Sequence, residues 1–418
     1  MQRRVAVALL WVAAAGGAQP LDEAEALLER VRARARENLT RLPDYVCLQM
    51  VERTYRRAPE RPFEPLDTLR LEVALVGDRE LVAWAGASRF EEKDVTDLVE
   101  RGTIGNGAFG LHARNIFLSE APAFQFAGEE QLGELRAFRF DFQVPLERSS
   151  YRLRAPPRAA RVGYHGSFWV EADTLDLVRL RVMVDEIPEE LGIVLASGEI
   201  RYRRVLVGEG EFLLPEASEL VMISSTGETS RNLTRFGNCR RYAARSSLSF
   251  AGAGPPPAPG AGPRRLALPP RAVIELELET EIDPRSAALG DEVRAVVARP
   301  VKERNRVLVP AGAVALGRLV RLERQEQPVE HYLIGLEFHT LEAGDLKGEL
   351  RATMRRAGPA SGLIEQAKRL DPTFDPRRKR PFMQILVNEQ QRGQGILHWR
   401  AKYPVVSRGL RMEWETEP

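Results

Sequence analysis

The amino-acid sequence predicts a mainly β protein: a curved antiparallel half-barrel with helices packed on it, a Pro/Gly-rich linker, and a small β-barrel or sandwich. Three observations carry that expectation. Apolar and charged residues alternate in segments such as 68–75 (TLRLEVAL) and 179–184 (RLRVMV), the mark of antiparallel strands with one wet face. Residues 251–270 (AGAGPPPAPGAGPRRLALPP) hold scarcely an apolar side chain to bury and divide the chain. Beyond them short strands recur between Gly and Pro turns, the spacing of a small barrel or sandwich.

Taken in order, residues 1–20 read MQRRVAVALLWVAAAGGAQP: two arginines, an apolar run of 11 residues and a small-residue exit ending at Ala18. That order predicts a secretory signal peptide over 1–18, since the run is short of the ~20 residues a spanning helix needs. Residues 22–41 place Ala24, Leu27, Leu28, Val31 and Ala35 at helical spacing, with acids ahead of bases, and predict an amphipathic helix ending near Pro43. From Tyr45 to Phe250 the chain reads as strands, interrupted once. In that interruption Val95, Leu98 and Val99 suggest a short helix, and a Gly-rich stretch leads to a second around 111–118. Residues 21–250 therefore form one domain, 251–270 a linker, and 271–418 a second domain carrying an exposed loop at 355–380 with eight basic and three acidic residues.

Composition limits function. The chain has 418 residues, 44% hydrophobic and 29% charged, with 61 basic and 59 acidic side chains, and loss of Arg3 and Arg4 with the leader equalises the charges. A neutral mature chain has no global electrostatic case for nucleic acid, and no later stretch approaches a membrane span. The 55 arginines against 6 lysines suggest a GC-rich bacterial source, in which the glycosylation spellings at Asn38 and Asn232 are idle. Export places the chain in the periplasm or outside the cell, under oxidising conditions, where Cys47 and Cys239 form either a disulfide or two buried thiols.

Chemical motifs are few. Residues 105–110 (GNGAFG) spell a dinucleotide loop, but no strand leads into it and the surroundings are antiparallel, so a loop or lid at the mouth of the sheet is the better reading. The histidines at 112, 165, 331, 339 and 398 stand singly, without metal-ligand spacing. No G-x-S-x-G elbow occurs, and His165 and Ser167 share one extended segment with nothing in sequence to orient the imidazole. No cofactor, metal or catalytic residue is expected, and the chain reads as a non-enzyme.

Two resemblances add to this. The succession LPDYVCLQMVER, GAFGLHARNIF, GSFWVEADTLDLVRLRV, IRYRRVLVGEGEFLLPEASEL and RNLTRFGNCRRYAARSSLSF resembles exported acidobacterial-type proteins. Its strand order, with Asp173-Thr174 before an outgoing apolar strand, resembles the outer-membrane lipoprotein carrier protein superfamily. That resemblance implies an unclosed barrel in which helices form a lid over acyl chains. The stretch 274–351, with Pro310, Gly312 and Gly317 at a turn and a Gly-ended strand, resembles the barrel domain of conjugal-transfer and type IV secretion outer-membrane core proteins. The expected function is binding of an apolar ligand, a lipid or lipidated protein, with Phe109, Phe117, Phe124, Phe126 and Trp169 as candidate pocket aromatics. Ordinary core packing is the competing reading for each of them. The alternative function is a cell-envelope scaffold contacting protein or peptidoglycan through sheet edges and the basic loop.

Overall fold

The computed structural model describes residues 21–77, 79–86, 90, 99, 102–105, 107–155, 157–242, 266, 268–304, 306–325, 330–344, 346–358, 392–400 and 404–417. The expected signal peptide, the helix near Val95 and Leu98, residues 251–265 of the linker and residues 359–380 of the basic loop lie outside them.

Helix α1 (Leu21–Thr40) forms where the 3.6-residue apolar spacing predicts it, burying Val31 and Ala35. The Thr40 hydroxyl donates to the Arg36 carbonyl at 2.8 Å, and Pro43 follows. Twelve strands of the first lobe then appear: β1 (Tyr45–Arg56), β2 (Glu64–Val76), β3 (Arg79–Trp84), β4 (Ala123–Leu132), β5 (Leu135–Val144), β6 (Arg152–Ala155), β7 (Arg158–Arg161), β8 (Gly163–Glu171), β9 (Leu177–Asp185), β10 (Ile193–Val207), β11 (Gly210–Ser224) and β12 (Thr229–Arg241). Ten of them make one antiparallel sheet, in the order β3-β2-β1-β12-β11-β10-β9-β8-β5-β4, while β6 and β7 form a separate hairpin. Helix α2 (Leu111–Phe117) sits between β3 and β4 in sequence, close to the predicted 111–118.

Pairing of β1 with β12 joins the start of the lobe to its end. There Cys47 and Cys239, separated by 192 residues, are bridged with their Cα atoms 4.1 Å apart. The sheet curls around its concave face. Gly166 marks the tightest approach within it, where a Cβ would lie 1.9 Å from the Arg181 carbonyl oxygen on β9. One end of the concavity is filled by Phe117, Phe140, Phe168 and Leu180 packed against Val31 and Ala35 of α1. The helices therefore pack into the mouth of an open half-barrel.

The second lobe contains β13 (Val273–Leu278), β14 (Glu292–Val297), β15 (Val301–Glu303), β16 (Arg306–Val309), β17 (Val314–Gln325), β18 (His331–Ala343), β19 (Leu346–Glu349), β20 (Ala352–Gly358), β21 (Gly395–Arg400) and β22 (Arg411–Thr416). Its sheet runs β19-β18-β17-β14-β13-β22-β20, with β21 also paired to β18. The Met354 N–H donates to the Gln394 carbonyl at 3.2 Å, which brings β20 back beside β21 and closes the ring. Side chains fill the interior, and Phe338 meets Trp414 edge-on at 5.2 Å.

The lobes meet at the stretch of β2 that extends beyond its pairing with β3. The Arg70 N–H donates to the Leu289 carbonyl, and the Leu289 N–H to the Thr68 carbonyl, each at 2.7 Å. Gly290 (φ +93°) makes the approach sterically feasible, because a Cβ there would stand 2.3 Å from the Arg70 oxygen. Arg70 and Asp291 pair across the seam at 2.8 Å.

Candidate functional site

The open end of the half-barrel holds a cavity of ≈ 1010 Å³. That is at the upper end of the roughly 300–1,000 Å³ range of small-molecule sites. Its floor is the concave face of β1, β12, β11, β10, β9 and β8; its roof is formed by residues 102–105 and 107–112 together with the β6–β7 hairpin. Strand parity decides which residues face it. On β12, Ser230, Asn232 and Thr234 face inward, and Ser218, Leu220 and Met222 of β11 lie opposite them in register. Farther round, Val182 and Val184 of β9 with Ile193, Ala196 and Ile200 of β10 make an apolar wall. The cavity thus has a polar stripe of uncharged side chains on one flank and hydrocarbon on the other.

The roof is held by specific bonds. Arg53, buried on β1, makes a two-pronged ion pair with Asp67, its Nε and Nη2 donating at 2.6 and 2.5 Å. The Thr103 carbonyl accepts from Asn232 Nδ2 at 2.7 Å and from Arg53 Nη1 at 3.5 Å, so the loop is tied to the sheet. Glu80 on β3 accepts the backbone N–H groups of Gly107, Gly110 and Leu111 at 2.8, 2.8 and 3.0 Å. The amide cradle that the GNGAFG spelling offers to a phosphate is therefore occupied by the protein's own carboxylate. Burial raises the Glu80 carboxyl above its ordinary value, outweighing the three donors. His112 follows the loop and lines the cavity, its ring 5.3 Å from Tyr151, which in turn lies 5.6 Å from Tyr164. Desolvation lowers the imidazole to about 4 and raises the Tyr164 phenol to about 12, so both are neutral near pH 7.

Helix α1 is anchored at the filled end by Asp176, in the β8–β9 turn, which accepts from Arg34 Nε (3.0 Å), Asn38 Nδ2 (2.9 Å) and Arg204 Nε (2.7 Å). α1 and α2 are tied by Arg36 Nε donating to the Phe117 carbonyl at 3.0 Å. Both asparagines of the glycosylation spellings are engaged in these internal bonds.

None of the five candidate aromatics lines the cavity. Phe109 packs at the α2 entry between Tyr45 and Phe236, at ring distances of 4.8 and 5.4 Å. Phe117, Phe124 and Phe126 belong to the filled end, with Phe117 5.0 Å from Phe168. Trp169 faces the other side of the sheet from Phe168: its Nε1 donates to Glu130 at 2.7 Å, and the guanidinium carbons of Arg139, Arg179 and Arg181 stand 5.5 to 5.7 Å from its ring. Alternation along β8 already separates Phe168 from Trp169. What hides the difference is that both are buried, one by the core and the other by arginines. The cavity-lining Tyr151, Tyr164 and His112 carry no distinguishing local pattern in the sequence.

His165, contrary to the expectation from sequence, does have an orienting carboxylate, with Asp185 Oδ1 2.5 Å from its Nδ1. Ser167 Oγ, however, donates to Asp141 at 2.6 Å, so serine and imidazole form no nucleophile–base couple. Among the described residues no group of three His, Cys, Asp or Glu side chains is gathered to hold a metal, and no helix is long and apolar enough to cross a membrane.

No family model and no curated protein matches the chain. Seven chains of solved structures match it. Among them are a LolA superfamily protein from Nitrosomonas europaea (12% identity, 51% of this chain and 93% of that chain, TM-score 0.26), a DUF1329 family protein from Desulfovibrio piger (12%, 53% and 95%, TM-score 0.29), and a domain described as an outer membrane lipoprotein-sorting protein from Vibrio parahaemolyticus (10%, 55% and 97%, TM-score 0.28). The resemblance of the second lobe to conjugal-transfer barrels has no counterpart among these three.

Proposed function

We propose that this chain is an exported, non-catalytic binding protein whose first lobe shelters an apolar or amphipathic ligand, a lipid or the acyl part of a lipidated protein. One observation supports the reading above all: the ≈ 1010 Å³ cavity is lined on one flank by Val182, Val184, Ile193, Ala196 and Ile200, beneath a roof tied to the sheet. Apolar surface left facing such a space is stabilised when hydrocarbon replaces water. The second lobe, with a filled interior, acts as an interaction or anchoring module.

Titration of the delipidated full chain with N-phenyl-1-naphthylamine, an uncharged apolar dye, tests this. Saturable fluorescence enhancement is expected. Leu220→Arg or Met222→Arg, which place a charge in the cavity, weaken it, whereas Trp169→Phe, on the other face of the sheet, leaves it unchanged. Absence of saturable binding, or equal loss in all three variants, refutes the proposal.

A further inference from the structure

The cavity has a polar end, and its chemistry discriminates between kinds of lipid head. Gln49 on β1 and Thr234 on β12 are each only 8% exposed and both line the cavity. In register, Val51 faces Thr234 and Gln49 faces Phe236, so Gln49 and Thr234 are diagonal neighbours on the concave face, with Ser218 opposite Thr234 on the other side. Among the described residues neither the Gln49 carboxamide nor the Thr234 hydroxyl has a hydrogen-bond partner, in contrast to Asn232 beside them, whose amide nitrogen is committed to Thr103. What surface their polar atoms keep faces the cavity, so a ligand that fills it displaces the water there and must satisfy both groups itself.

The charge around them narrows the choice. The nearest cation on the concave face of β1 is Arg53, already bound through two nitrogens to Asp67. The arginines that line the cavity, Arg152 and Arg154, stand on the roof hairpin whose Leu153 packs with Ala196, toward the opposite end. A carboxylate or phosphate brought to Gln49 and Thr234 would lose its hydration without gaining a countercharge. An ester or amide carbonyl would accept from Gln49 Nε2 and from the Thr234 hydroxyl at little desolvation cost, and the Gln49 carbonyl would accept from a neighbouring hydroxyl.

We infer that the Gln49–Thr234 end reads the uncharged, hydrogen-bonding head of an acyl ligand, an acyl ester or amide, with the chain running along Leu220 and Ile200, and that it selects against free fatty-acid anions. The inference rests on the cavity reading above and goes beyond it by naming the class of head group. Displacement of N-phenyl-1-naphthylamine from the full chain at pH 8 by monolaurin and by laurate, which share one chain, separates the two. Monolaurin should displace the dye at a concentration about tenfold lower or better. Gln49→Leu combined with Thr234→Val should abolish that preference while the dye itself still binds. Equal or stronger displacement by laurate, or a preference that survives the double substitution, overturns the head-group assignment and leaves the cavity standing. Failure of the dye to bind the unaltered chain overturns both.

Discussion

Replacing Asp176 by alanine should detach α1 from the half-barrel. Asp176 is 5% exposed and its carboxylate accepts from three side chains at 2.6 to 3.0 Å, two of them guanidinium groups. Hydrogen bonds to charged partners contribute about 1.5 to 3 kcal/mol each and a neutral one about 1. Arg34 and Arg204 keep 31% and 33% of their side-chain surface in water, so solvent screens both pairs and takes up much of each freed cation's cost. Screening therefore brings the loss for Asp176→Ala down to about 3 kcal/mol, below the simple sum of about 4 to 7, and to about half that for Asp176→Asn, which keeps the shape and loses the charge. Urea unfolding gives the stability change, and hydrogen exchange along Leu21–Thr40 locates it. A loss under ~1 kcal/mol, or unchanged exchange in α1, refutes the idea that this turn carries the anchor.

Three further outcomes follow from the same structure. The native state holds His112 neutral at about 4 against an ordinary 6.5, so its contribution is complete above pH 6.5 and is lost as pH falls from there to about 4. His112→Gln should remove about 2 kcal/mol of that acid sensitivity from a pH series of urea midpoints, and an unaltered slope contradicts the assignment. Cys47→Ser with Cys239→Ser, which opens a loop spanning 192 residues, should cost about 5 kcal/mol on the loop-entropy model, and two reactive thiols in denatured, unreduced wild-type protein would disprove the bridge. Fragments 21–250 and 271–418 should each unfold cooperatively, while Gly290→Val in the full chain, which forces a side chain against Arg70 at the seam, should split a single transition into two; non-cooperative fragments would show that the lobes fold as one.

Local physics made much of the architecture legible. The charged–apolar alternation of 68–75 and 179–184 placed strands on both sides of the β1–β12 closure, and the apolar spacing of 22–41 placed α1 within a residue or so of its ends. These readings succeed because a strand's two faces and a helix's stripe are properties of near neighbours in the chain. The lining of the cavity was the harder part to read. A phenylalanine is as stable in a solid core as beside a cavity, and its neighbours in sequence do not say which it will meet.

Whether the inside of the half-barrel is filled or hollow was decided only by tertiary structure. On β12 the sequence alternates Ser230, Asn232 and Thr234 with Arg231, Leu233 and Arg235, and no periodicity marks the small polar set as the inward one. That face can point inward because, among the described residues, α1 and α2 reach only one end of the concavity, and the other end stays open beneath the roof. Asp176, Arg34 and Arg204 lie far apart in the chain, and Glu80 is distant from the glycines it caps. Each is an ordinary charged residue until the curl of the sheet brings it to its partner, because pairing across such separations depends on the closed fold and on no local preference.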